Sequence, residues 1–154
     1  MRRWLKRAAV LLVVAFAAAQ LVRPARANPP IDARHTIQGS AGPASGIGAI
    51  VDRACRDCHS NATVWPWYTG IAPVSWLMAK GVKLGRAAVN FSEWSSYPPE
   101  RQRELLEKSC KAVREGKMPG GAWTTLHPEA KLTPEDVQRI CAAAETAPNA
   151  GGKP

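Results

Sequence analysis

The sequence predicts a small all-α domain. Apolar residues recur at helical spacing in three stretches: Ile47, Ile50, Val51, Ala54 and Cys55; Leu105, Leu106, Cys110 and Val113; and Val137, Ile140, Cys141 and Ala144. The last stretch carries a full start signal, with Thr133 at the cap, Pro134 in the first turn and Asp136 three residues past the cap. No strand–helix alternation of the kind that builds a mixed sheet accompanies these stripes. At the end of the first stripe, Cys55-Arg56-Asp57-Cys58-His59 sets two thiols and an imidazole side by side.

At the start of the chain, Arg2, Arg3, Lys6 and Arg7 precede an uninterrupted apolar run from Ala8 to Ala19. That order is the grammar of an export signal, and Ala25-Arg26-Ala27 supplies small residues at alternate positions, so cleavage is expected after Ala27. The rival is an uncleaved anchor. As a helix, Ala8 to Val22 reaches roughly 22 Å, short of a hydrocarbon core of about 30 Å. The pair Arg2-Arg3 lacks the flanking residues of a twin-arginine signal, and ordinary secretion to a periplasm is the expectation.

The net charge of +9 comes largely from this leader, which holds six of the 21 basic residues and no acidic one. Residues 28–154 carry 15 basic against 12 acidic groups, a net +3, and nothing in that balance points to nucleic acid. The 127 residues that remain suit one monomeric domain.

From Asn28 to Pro43 the chain is rich in Asn, Pro, Gly and Ser with isolated Ile31 and Ile37, which reads as a flexible tether over 28–44. Order is expected from Ser45, in a domain spanning 45–146. The first stripe then delivers Cys55 on the apolar face of a short helix. C-x-x-C alone would suit a dithiol redox pair. With His next in line, the spacing fits one haem bonded through both sulfurs, Cys55 and Cys58, and ligated through His59.

Residues 61–73 are too punctuated by turns for a regular helix, and Trp65, Trp67 and Tyr68 bring flat surfaces suited either to a macrocycle or to ordinary packing. Ser75 is placed to cap a following helix through Trp76, Leu77, Met78, Val82 and Ala87, with Gly81 and Gly85 as weak or closely packed points. Lys80, Lys83 and Arg86 share one side of it, either as a solvated face or as a docking patch for an acidic redox partner.

Tyr97-Pro98-Pro99 launches a helix from about Glu100 to Glu115, which Gly116 stops. In the loop beyond, Met118 precedes Pro119 and is the expected sixth iron ligand. A thioether there raises the reduction potential relative to a second His. His127, before Pro128, is the alternative. Met78 belongs by default to a core stripe, His35 to the tether, and an open or water-bound iron remains a further option. Cys110 and Cys141 fall on the stripes of two helices in an exported chain whose other thiols are consumed. They pair as a disulfide or stay as buried free thiols. The tail over 147–154 reads as frayed.

Several segments together resemble a known family. Cys55-x-x-Cys58-His59 is followed by Trp65-Pro66-Trp67-Tyr68, Ala72-Pro73-Val74-Ser75-Trp76, Asn90-Phe91-Ser92-Glu93-Trp94, Met118-Pro119 and His127-Pro128-Glu129-Ala130. This set resembles the haem-binding domain family of small bacterial c-type cytochromes over nearly all of the chain past the leader. Cys110, Cys141 and the Gly121-Ala122-Trp123 stretch depart from its pattern. The resemblance implies a cytochrome c-like helical fold around one covalent haem c, periplasmic or held to a membrane by the N-terminal segment. Single-electron transfer with unidentified partner proteins is the expected function, and no enzymatic activity is expected. A peroxidase-like enzyme or a small-ligand sensor would need a vacant or displaceable sixth site, and a dithiol oxidoreductase would need free Cys55 and Cys58.

Overall fold

A computed structural model describes residues 2–40 and 43–147. Among them are seven α-helices, five 3-10 turns and no strand, so the fold is all-α. The helices are α1 (Arg2–Ala19), α2 (Gly48–Ala54), α3 (Arg56–His59), α4 (Val74–Ala88), α5 (Pro99–Arg114), α6 (Gly121–Leu126) and α7 (Pro134–Thr146).

The longest pairing joins α5 to α7. Leu105, Leu106 and Cys110 of α5 face Ile140, Cys141, Ala143 and Ala144 of α7, and all are buried. Cys110 and Cys141 are disulfide-bonded with their Cα atoms 4.8 Å apart. A capping box starts α7: the Asp136 amide donates to the Thr133 hydroxyl and the Thr133 amide to the Asp136 carboxylate. Arg53 of α2 ties that cap back to the N-terminal half, donating to Asp136 and to the Glu129 and Lys131 carbonyls. α5 begins at Pro99, in the position that suits proline, and ends before Gly116, whose φ of +63° lies in the left-handed region.

Two features differ from the sequence expectations. The stretch from Asn28 is packed, not loose: Ile37 is fully buried, its amide donates to the Phe91 carbonyl, and Ala44 is buried with it. Of the two isolated apolar residues, Ile37 anchors the segment, whereas Ile31 is exposed. Ser75 does not cap α4; Pro73 occupies that position, and Ser75 is buried in the first turn. α7 packs on α5 and on the Pro43–Ile47 turn. The Gly121-Ala122-Trp123 stretch, which departs from the family's pattern, starts α6. The expected frayed tail lies outside the described residues beyond Ala147, which is itself buried.

The Cys110–Cys141 bond closes a loop of 31 residues, which on the chain-entropy model is worth about 3 to 4 kcal/mol. The double variant C110A/C141A is expected to lose that much unfolding free energy in urea titrations. Equal stability, together with alkylation of both thiols in the native wild-type chain, would rule the bridge out.

Candidate functional site

The helical stripe that carries Ile50, Val51 and Ala54 into the core ends at Cys55, whose backbone (φ −122°, ψ −27°) breaks the helix. The motif then forms its own turn, α3, held by the Cys58 and His59 amides, which both donate to the Cys55 carbonyl at 3.2 and 2.9 Å. The motif therefore starts a second short helix instead of closing the first.

α3 lies against α4 at Gly85. A methyl group there would stand 2.3 Å from the Cys58 carbonyl oxygen, so only glycine permits the approach. At the end of α4 the Val89 carbonyl meets His59 Nδ1 at 3.3 Å. A carbonyl can only accept, so Nδ1 carries the proton and Nε2 keeps the lone pair. Burial pulls the His59 pKa below the usual histidine range, against the Val89 and Gly85 carbonyls, and the ring is neutral. No described residue hydrogen-bonds its Nε2.

His59 opens onto an almost wholly apolar cavity of about 230 Å³. Val51, Ala54 and Cys55 form one side; Leu105, Ala112 and Val113 of α5 form another; Met118 and Pro119 close in from the following loop. Met118 is half exposed. Cys58 is not among the lining residues and sits against α4. Burial raises both thiol pKa values, that of Cys55 to about 12, with Cys58 adding to the effect on Cys55. Such a thiol carries almost no thiolate at neutral pH, which is the opposite of what dithiol exchange needs.

The other expected site residues fall elsewhere. His127 does not line the cavity: its Nε2 meets the Tyr68 hydroxyl at 2.6 Å, its Nδ1 meets Glu129 at 3.0 Å, and its ring stacks on Trp123 at 3.8 Å. With both nitrogens engaged it is not poised to ligate. Trp65, Trp67 and Tyr68 also lie off the cavity walls. Trp65 donates to Asn28, Tyr68 holds His127, and Trp67 is 80 % exposed. His35 is exposed in a 3-10 turn, and Met78 is half-buried on α4, away from the cavity. Lys80 and Lys83 are exposed, but Arg86 leaves their face and turns inward to the Ser60 carbonyl.

Sequence reasoning missed the α5 wall. Leu105, Lys108, Ser109 and Ala112 line the cavity, and their spacing of three, four and seven residues is the signal that could have found them. Lys108, ion-paired to Glu104 at 2.5 Å, is the one cation on the described wall.

Neutral imidazole and thioether donors on an almost wholly apolar cavity suit haem iron and the macrocycle around it. Among the described residues no group of three or more His, Cys, Asp or Glu could hold a bare metal ion. Fold and site define an all-helical haem protein. The sequence model of the haem-binding domain matches residues 14–146, and the chain belongs to that family. Comparison with curated proteins and with solved structures gave no match.

Gly85→Ala is expected to cost about 1–3 kcal/mol in urea unfolding, the range for overpacking. Gly81→Ala on the same helix, where an added methyl meets nothing within 4 Å, should be neutral or stabilising by about 0.5–1 kcal/mol. Equal effects would remove the close approach as the cause. In the haem-free chain, a rise from the ordinary thiol range to about 12 leaves roughly a thousandfold less thiolate. Iodoacetamide at pH 7.5 should therefore label Cys55 at least a hundredfold more slowly than the urea-unfolded chain does. Similar rates would show the thiol to be accessible.

Proposed function

We propose that this chain is a periplasmic c-type cytochrome that carries single electrons on one covalently bound haem. Cys55 and Cys58 form the thioether bonds, His59 supplies the proximal nitrogen, and Met118 supplies the sixth ligand. The observation that carries this reading is His59: its Nδ1–H is committed to the Val89 carbonyl, and its free Nε2 shares one apolar cavity with Cys55 and Met118. When bound, the haem supplies an iron that changes oxidation state by one electron.

The chain's own residues do the rest. The Val89 carbonyl orients the imidazole and holds its tautomer, as partners of metal-bound histidines do. The walls from α2 and α5 exclude water from one side, which favours the less charged state of the cofactor. Covalent attachment prevents loss of the haem into a dilute compartment. No carboxylate lines the described cavity, whose polar side chains beside His59 are Lys108 and Ser109. That supports a carrier over an acid–base enzyme. One observation favours a second reading, small-ligand binding: Met118 is 48 % exposed, and an exposed thioether is more readily displaced.

A reduced-minus-oxidised spectrum in alkaline pyridine should give one haem per chain that resists acid–organic extraction. Extractable haem overturns covalent attachment. In the ferric protein a weak far-red thioether-to-iron band is expected, present in H127A and lost in M118A. If the wild type lacks that band and binds cyanide within seconds, the sixth site is open and the small-ligand reading replaces electron transfer.

A further inference from the structure

The segment that joins the apolar leader to the domain is bonded into the domain at four points. The Gln20 side chain accepts from the Ala72 amide at 2.9 Å and donates to the Ala72 carbonyl at 3.4 Å. Trp76 Nε1 donates to the Val22 carbonyl at 2.8 Å. Arg86 donates to the Ala27 carbonyl at 2.9 Å and to the Asn28 side chain at 3.0 Å, and Asn28 donates in turn to the Thr63 carbonyl at 2.8 Å. The Ala27–Asn28 peptide, where the sequence predicts signal cleavage, is thus gripped from both sides by the domain. Cleavage would remove three of the partners, Gln20, Val22 and Ala27.

α1 itself has no buried residue, and its apolar side chains from Val10 to Phe16 are more than half exposed. Beside the point where it meets the domain lies a second exposed apolar group: Trp67 at 80 %, Leu77 at 69 %, with Ile71 and Val74 near 40 %. Gln20 bonds to Ala72, between Ile71 and Val74, so the C-terminal end of α1 meets the domain beside the second group. Exposed apolar side chains that include an indole match a lipid–water interface, where tryptophan sits at the headgroup level. Arg2, Arg3, Lys6 and Arg7 at the far end of α1 suit anionic headgroups.

We infer that the leader is retained, and that residues 20–28 form a strap seating the domain on the lipid surface through Trp67, Ile71, Val74 and Leu77. Among the described residues no helix is long and apolar enough to cross a membrane. The apolar run from Ala8 to Ala19 spans roughly 18 Å, and it enters lipid with its four basic residues at the headgroups. The lipid seat orients the haem cavity relative to the membrane, so partners approach from one side. This holds whatever the mode of haem attachment.

The test is a photolabelling map. The haem-loaded chain, expressed in a bacterium and recovered from the whole-cell lysate, is placed in phosphatidylethanolamine–phosphatidylglycerol vesicles containing a phospholipid with an acyl-chain diazirine. Mass spectrometry of the recovered chain is expected to find residues 2–27 present. A chain beginning at Asn28 overturns retention. After illumination, adducts are expected on α1 and on the peptide holding residues 67–77, with loss of the second set in W67S/L77S. Adducts confined to α1 overturn the lipid seat and assign the 67–77 patch to a protein surface, a second copy of the chain included.

Discussion

The site depends on one contact, the approach of the Cys58 carbonyl to the backbone of α4 at Gly85. That approach brings α3 close enough to the end of α4 for the Val89 carbonyl to accept a hydrogen bond from His59 Nδ1–H. Without it His59 could choose either tautomer and either ring orientation, and the lone pair would not be committed to the cavity. The rest of the fold supports this contact. α5 and α7, joined through Cys110 and Cys141, form the opposite wall. Arg53 couples that wall to α2 through the α7 cap.

Much of this is visible in the chain before folding, because it rests on local signals. Thr133, Pro134 and Asp136 mark the start of α7 through hydrogen bonds between near neighbours, and the apolar stripes mark α5 and α7 through a period any window reveals. Cys55, Cys58 and His59 announce their chemistry by spacing. What stayed hidden depends on partners far apart in sequence. Ile37 reads as an isolated residue until its amide meets Phe91. His127 reads as a ligand until Tyr68 and Glu129 take both its nitrogens. Trp65, Trp67 and Tyr68 stay open between a haem wall and ordinary packing because aromatic composition does not say which way a ring points. Gly85 stood out as a close-packing point, but the atom it admits lies 27 residues earlier in the chain.

Arg86 shows how these long-range choices converge. As one of three basic residues at helical spacing it belongs to a charged face. In the fold it is half-buried, and burial pulls its pKa below the usual arginine range, with Glu93 opposing. A guanidinium in that position needs its donors satisfied. It bonds the Ser60 carbonyl just past the haem motif, the Thr63 hydroxyl, the Asn28 side chain and the Ala27 carbonyl. One side chain therefore joins the residue after His59 to the end of the leader. A displacement of residues 20–28 would take away two of these acceptors, the Ala27 carbonyl and the Asn28 side chain, and leave Arg86 on Ser60 and Thr63 beside the motif. The geometry of the motif and the position of the N-terminal segment are thus linked through one half-buried guanidinium, and α4 carries both ends of that link: Arg86 to the strap, Gly85 to Cys58.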